Sequence, residues 1–95
     1  MATASVSTVN VIELLVSELV TNAVVHAGGP VGLTIRHLGS RTRVEVSDTS
    51  VRLPEVCPAT VEHCRGMHIV AALSARWGAE GHDGGKTVWF EVEDR

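Results

Sequence analysis

One apolar segment near the start of the chain restricts the fold more than any other feature of the sequence. Between residues 9 and 27, apolar side chains recur at the three- and four-residue spacing of an α-helix, and Gly28-Gly29-Pro30 ends the pattern. Glu18, Asn22 and His26 interrupt it at intervals of four residues, so at about 100° per residue they lie on one side of the helix. The segment therefore predicts a core helix with a polar strip.

Two alternating segments follow this helix and predict a β-hairpin. Apolar and polar residues alternate in residues 31–38 and again in residues 41–48, on either side of a Gly39-Ser40 turn. The second strand ends at Asp48. The residues of this strand predicted to share one face are Thr42, Val44, Val46 and Asp48.

The second half of the chain predicts a loop, a helix and another hairpin. Residues 49–62 show no clear period and predict a long loop, for which a lid is one function. A helix is predicted from Gly66 to Gly78, and the last hairpin turns at Asp83-Gly84-Gly85. The last strand places on one face Val88, Phe90 and Val92. This order predicts one α+β domain over residues 1–95, a two-layer sandwich with a mixed, mostly antiparallel sheet and helices on one face.

The charge and cysteine content limit the classes of function. A formal net charge of -3 with only eight Lys and Arg argues against a general affinity for nucleic acid. Arg36, Arg41 and Arg43 form either a small basic patch or a solvated outer face. No apolar run is expected to span a bilayer. Since no secretory leader precedes Cys57 and Cys64, free thiols in a reducing cytoplasm are expected.

The polar strip on the first helix has two interpretations. Glu18, Asn22 and their neighbours are the solvent face of an amphipathic helix, or they carry chemistry. In the second case Glu18 accepts a proton from a hydroxyl or a water, and Asn22 supplies an oxygen to Mg²⁺. This pair suits phosphoryl transfer, which depends mainly on positioning and on charge neutralisation.

Three later positions offer matching chemistry. Asp48 at the end of its strand can accept a hydrogen bond from an exocyclic amine. Gly66 at a helix start allows an anion to approach the backbone closely. The flexible turn before the last strand adds the ammonium of Lys86 and the hydroxyl of Thr87.

Four segments resemble, in order, the N, G1, G2 and G3 boxes of the Bergerat-fold (GHKL) ATPases: ELVTNAVVHA, VEVSDTS, RGMHIV and GKTVWFE. That superfamily includes DNA gyrase B, the histidine kinases and the anti-sigma-factor serine kinases. The chain is most similar to the small bacterial ATP-binding regulators of the anti-sigma type, over residues 9–93.

The resemblance implies a role for each matching residue. Glu18 is the general base, Asn22 is the Mg²⁺ ligand, and Asp48 reads the adenine amino group. Gly66 and its neighbours cover the phosphates, and Thr87 supports the adenine and its water. His26 receives no catalytic role. The further residues implied to bind the nucleotide are Arg65, Met67 and Lys86.

The resemblance also implies a function and partners. The expected protein binds ATP or ADP with Mg²⁺, regulates a sigma factor in the cytoplasm, and is a candidate serine kinase for an anti-anti-sigma antagonist. A homodimer is expected, with no nucleic acid or membrane partner. One alternative is an inert interaction module on the same fold. Another is a metal or redox protein that uses Cys57, His63, Cys64 and His68.

The sequence departs from the family pattern in three places. The G1 box has neither of the usual glycines after Asp48, and Cys64 stands where the G2 box usually has a glycine. The strand and helix that usually come first in the family have no counterpart. The last of these departures leaves open a truncated or divergent member, or one in which oligomerisation replaces the missing elements.

Overall fold

The computed structural model describes residues 6–50 and 65–94. Its two helices are α1 (Val6–Ala27) and α2 (Arg65–Leu73). Its four strands are β1 (Gly32–Leu38), β2 (Arg41–Asp48), β3 (Arg76–His82) and β4 (Gly85–Glu93). The strands form one sheet in the order β1-β2-β4-β3, and each of these neighbouring pairs is antiparallel. The predicted α+β class is confirmed. The predicted loop at residues 49–62, with its lid role, lies mostly outside the described residues.

Both helices pack on one face of the sheet, and the core lies between the two layers. Residues alternate between buried and partly exposed along β2, as the sequence pattern predicts. From β4 the predicted set Val88, Phe90 and Val92 is buried as well. The helices contribute to the same core Leu15, Leu19, Ala23, Met67 and Val70.

The pairing of β2 with β4 fixes which side chains face the helices. Val44 lies opposite Phe90 and Val46 lies opposite Val88 on the helix side. Because side chains alternate along a strand, the same register places Asp48 opposite Lys86 on that side. Arg43 and Glu91, which are also directly opposite, face the other way.

The helix bounds differ from the sequence pattern. Helix α1 begins at Val6, three residues before the start of the apolar period. Helix α2 ends at Leu73, so the prediction that it continues to Gly78 is wrong. The amide of Ser74 still donates to the Val70 carbonyl, at 3.0 Å, but that of Ala75 donates to the Glu91 carbonyl of β4, at 2.8 Å. Pairing with β4 therefore overrides the helical pattern.

Helix α1 corrects the expectation that no apolar segment of the chain is long enough to span a bilayer. By length and composition, residues 6–25 are apolar enough to cross a bilayer, with a mean hydropathy of 1.5. Core helices pass the same test. In this structure Leu15, Leu19 and Ala23 of α1 are buried against the sheet.

A buried carboxylate organises the outer face of the sheet. The Glu91 side chain is 3% exposed and forms salt bridges with Arg76 at 2.7 Å, Arg43 at 2.9 Å and Arg41 at 3.1 Å. Arg36 pairs with Glu45 at 3.6 Å. The three arginines of the predicted patch or solvated face are therefore paired with carboxylates. Hydrogen bonds from Arg76 lower the pKa of Glu91 below its ordinary 4.5; burial opposes them, and Arg43 reinforces them.

Trp89 lies beside this cluster, and a glycine makes room for it. The Arg43 guanidinium lies 4.0 Å from the centroid of the indole ring, a cation–π contact. Across the strand pair, Gly78 lies opposite Trp89. A Cβ at Gly78 would come within 2.7 Å of the ring, closer than real Cβ contacts come.

Gly78→Ala is therefore expected to destabilise the protein by about 1–3 kcal/mol through overpacking. The control is Gly81→Ala in the same strand, where a Cβ meets nothing within 4 Å; its effect should stay within about 0.5 kcal/mol. Urea unfolding followed by tryptophan fluorescence measures both. Equal stability of the two variants would contradict the close packing of Trp89.

Glu91→Gln is expected to cost about 2 kcal/mol of unfolding free energy at pH 7, since it removes charge-assisted hydrogen bonds. The folded state lowers the pKa of Glu91, so its stabilisation is fully present above pH 4.5 and is lost as the pH falls below that value. The gap between wild type and variant should therefore narrow on acidification. Urea unfolding from pH 7 to pH 3 measures it, with exposed Glu80→Gln as the control. A gap independent of pH would count against this account.

Candidate functional site

The polar strip of α1 faces the start of α2. Glu18 and Asn22 are partly buried and lie one helical turn apart, beside the buried Leu19 and Ala23. Gly66, the second residue of α2, is buried against them. A Cβ at Gly66 would come within 2.9 Å of Glu18 Oε2 and 3.2 Å of Asn22 Nδ2. The structure thus brings Gly66 against Glu18 and Asn22 of the polar strip, which the sequence placed in a separate motif.

The amino end of α2 adds its own electrostatics to this meeting point. The first backbone N–H groups of a helix have no partner within the helix, and its dipole is positive at that end. Gly66 itself has no side chain that could cover these groups. Met67, the next residue, is 3% exposed and packs in the core. A carboxylate, a carboxamide and a helix amino terminus therefore surround one small region.

Asp48 and Lys86 form a buried ion pair at the end of β2. Lys86 Nζ lies 3.0 Å from Oδ1 and 2.9 Å from Oδ2 of Asp48, and the two side chains are 7% and 2% exposed. The Ser50 amide also donates to Asp48 Oδ1, at 2.8 Å. Both oxygens of this carboxylate are thus engaged by groups of the protein.

Close backbone contacts bring β2, β4 and the segment after α1 together. Gly85 lies directly against the Asp48 carbonyl, and any Cβ there would overlap it. A Cβ at Gly29 would come within 2.7 Å of Thr49 Oγ1. The carboxyl end of α1, the end of β2 and the start of β4 therefore meet at one end of the sandwich.

The orientation of α2 places its amino terminus toward the same end. At the opposite end, the first turns of α1 and the last residues of α2 and β4 line a cavity of about 420 Å³. Since α2 finishes at that far end, it runs antiparallel to α1. Glu18, Asn22 and Gly66 thus lie toward the end of the domain that holds Asp48 and Lys86.

Thr87 lies on the other face of the sheet. Its hydroxyl lies 2.8 Å from the Ser47 hydroxyl and 3.2 Å from Nε2 of His82. Lys86, the preceding residue, is the one that the strand alternation turns toward Asp48. The role implied for Thr87 stays a prediction, and the structure does not bring this side chain to the Asp48 side.

Several predicted residues fall outside what the structure describes. These are the side chains of His26 and Arg65, together with Cys57, His63 and Cys64 of the metal alternative. His68, the fourth residue of that alternative, is exposed. Within residues 6–50 and 65–94, no group of three His, Cys, Asp or Glu side chains could hold a metal ion.

The pairing of Asp48 with Lys86 is the feature that the sequence pattern left unnoticed. Each residue was singled out alone, Asp48 as the residue that binds the adenine amino group and Lys86 as a nucleotide-binding residue in a flexible turn. In the structure Lys86 lies in β4 and not in the turn. The signal was nevertheless present. Extending the alternation of Val88 and Phe90 back by two residues places Lys86 on the helix side, where Asp48 also lies.

The structure is similar to solved histidine kinases. The structure matches the histidine kinase domain of the blue-light activated histidine kinase from Erythrobacter litoralis EL346. The match covers 90% of this chain, with a TM-score of 0.66 and 27% identity. A second structure of the Erythrobacter litoralis EL346 kinase matches 95% of this chain with a TM-score of 0.71 and 28% identity. The Acinetobacter baumannii histidine kinase AdeS matches 90% with a TM-score of 0.64 and 14% identity, a likeness of fold alone.

These matches differ in length from the chain. It spans 44%, 31% and 47% of the three kinase chains, respectively. No family model matches the sequence, and no curated protein does. The feature that matches these kinases, over about nine-tenths of the chain, is the arrangement of two helices on a four-stranded antiparallel sheet. The chain has the histidine-kinase-like ATPase fold of the GHKL type.

Proposed function

We propose that this domain binds ATP with Mg²⁺ where α1 meets the amino terminus of α2. The observation that carries the proposal is the contact of Gly66 with Glu18 and Asn22. A Cβ at Gly66 would collide with these two side chains, so the glycine lets the start of α2 pack directly against them. The ATP-binding kinase fold of the solved neighbours supports the same assignment.

The residues present fit a magnesium nucleotide. Asn22 Oδ1 is a hard oxygen ligand of the kind that Mg²⁺ takes alongside phosphate oxygens. The backbone N–H groups at the start of α2 suit the phosphates, since they carry partial positive charge. When bound, Mg²⁺ would neutralise charge on the phosphates. Asp48 offers its carboxylate to the base.

We further propose that the domain is an anti-sigma-factor regulator with serine kinase activity toward an anti-anti-sigma antagonist. In that reaction Glu18 accepts the proton of the attacking serine hydroxyl. The serine oxygen forms a bond to the γ-phosphorus, the bond from that phosphorus to the β,γ-bridging oxygen breaks, and ADP leaves. Glu18 is partly buried beside the start of α2, a suitable position for a base close to the phosphates.

The partners belong to the same proposal. A sigma factor and its antagonist are the expected protein partners, in the cytoplasm, and the regulator is proposed to be a homodimer. The edge strand β1 supports an association, because Leu33 and Ile35 on its helix side are 50% and 52% exposed. Among the strands that the structure describes, none pairs with the outer edge of β1, and such an edge is a ready template for another chain.

A second candidate is an interaction module that has lost catalysis. The observation that favours it is the buried ion pair, because Lys86 already pairs with the Asp48 carboxylate, which would otherwise accept the hydrogen bond from the base. Under this alternative Asp48 and Lys86 stabilise the end of the sheet, and the nucleotide binds weakly or not at all. Calorimetry with nucleotide separates the two candidates.

Asn22→Ala is expected to weaken Mg²⁺-dependent binding of ADP and of a non-hydrolysable ATP analogue at least tenfold, because it removes the proposed metal ligand. Asn10→Ala is the matched control, an exposed asparagine on the same helix. Isothermal titration calorimetry with and without Mg²⁺ measures both variants. Equal binding by Asn22→Ala and wild type would rule out Asn22 as the ligand, and no binding by wild type at millimolar nucleotide would favour the interaction module.

Glu18→Gln is expected to leave ADP affinity within a few-fold of wild type and to lower turnover by about 10²- to 10⁴-fold, the usual effect of a general base. Glu13→Gln, exposed on the same helix, should leave turnover unchanged. Release of ADP from ATP measures turnover, with water replacing the serine as acceptor. Hydrolysis by Glu18→Gln at the wild-type rate would show that another group serves as base.

A further inference from the structure

Lys86 is the one lysine in the sequence, and it is buried on the inner face of the sheet. Among the described residues, all the other salt bridges use arginine, and they lie on the outer face. An ammonium is a compact charge on a flexible stem and fits a confined site better than a planar guanidinium. The choice of lysine here therefore matches the narrow space at the end of β2.

Burying this ion pair also has a large desolvation cost. Removing two charges from water costs free energy that their attraction often does not recover, so packed apolar residues would commonly stabilise a fold as well or better. Stability alone gives little reason to place Asp48 and Lys86 together on the helix side of the sheet. Their position in the same end of the domain as Glu18, Asn22 and Gly66 suggests a use in binding.

The hydrogen-bonding capacity of the pair is not exhausted. A carboxylate has about four acceptor positions. The Asp48 carboxylate interacts with Lys86 Nζ through both oxygens, and its Oδ1 also accepts a hydrogen bond from the Ser50 amide. Among the described residues, one position therefore remains on Oδ2. An ammonium has three protons, and among the described residues Asp48 is the hydrogen-bond partner of Lys86. The pair thus offers one acceptor and one donor side by side.

We infer that Lys86 is a specificity-determining residue, which donates a hydrogen bond to the ring nitrogen next to the amino group that Asp48 accepts. This inference rests on the proposed nucleotide site. The edge that fits the pair has an exocyclic amine beside an unprotonated ring nitrogen, which in adenine are the 6-amino group and N1. Lys86 and Asp48 then form hydrogen bonds to neighbouring groups on one edge of the base. Lys86 also neutralises the buried carboxylate.

The backbone holds both groups at the distance this requires. Gly85 lies against the Asp48 carbonyl, which fixes the start of β4 to the end of β2. Asp48 and Lys86 are direct cross-strand partners, so their side chains leave the same point of the sheet. A two-point contact of this kind needs such rigid supports on both sides.

The test uses the wild-type protein and altered ligands. Lysine labelled with ¹⁵N at Nζ gives a single side-chain ammonium signal, that of Lys86. ADP is compared with 1-deaza-ADP, which has C–H in place of N1, and with purine riboside diphosphate, which has no 6-amino group. Calorimetry gives the affinities, and the NMR spectrum reports contact with Lys86.

The expected result is that 1-deaza-ADP binds about tenfold or more weakly than ADP, as for the loss of one hydrogen bond to a charged group. The Lys86 signal should shift with ADP. Purine riboside diphosphate should also bind more weakly, through Asp48. In Lys86→Met, shown to be folded by its melting transition, the ratio of ADP to 1-deaza-ADP affinity should fall to about one.

Two negative results differ in what they overturn. If ADP and 1-deaza-ADP bind equally, or the Lys86 signal does not move at saturation with ADP, the pair is a structural ion pair and this inference is wrong while the nucleotide site stands. If the wild-type protein binds neither ADP nor an ATP analogue, the proposed function fails and the inference fails with it.

Discussion

The register between β2 and β4 is the constraint on which the rest of the structure depends. One alternation assigns every side chain of these two central strands to the helix side or to the outer side. Val44 and Phe90 enter the core, and Arg43 and Glu91 leave it. A shift of one residue would exchange the two sets, burying arginine and exposing phenylalanine. The apolar core therefore fixes which side of the sheet each charged residue of β2 and β4 occupies.

The charged side chains on the two faces of the sheet are paired in different ways. On the outer face the Glu91 carboxylate is shared among three arginines, and Trp89 packs under one of them over Gly78. On the inner face a single lysine forms an ion pair with a single aspartate. The first arrangement covers a surface. The second leaves one donor and one acceptor at the end of the domain where the two helices present polar groups.

The sequence pattern predicted much of this fold because most elements have a clean period. The alternation of β2 and β4 and the turns at Gly39 and Gly84 are local properties, and they were confirmed. The end of α2 was missed, since residues 74–78 continue a helical pattern but pair with β4. Of the site, the strip with Glu18 and Asn22 and the glycine at position 66 were predicted separately. Their contact needs α2 to run back along α1, which no local pattern specifies.

The sequence by itself determined the polar strip on the first helix, the faces of the central strands and the glycine at the second helix start. It did so because side-chain period and backbone freedom are properties of neighbouring residues. Only the tertiary structure decided that Lys86 lies directly opposite Asp48, and that Gly66 touches Glu18 and Asn22. These are contacts between residues 38 to 48 positions apart, and they exist because strand pairing and helix packing close the chain on itself.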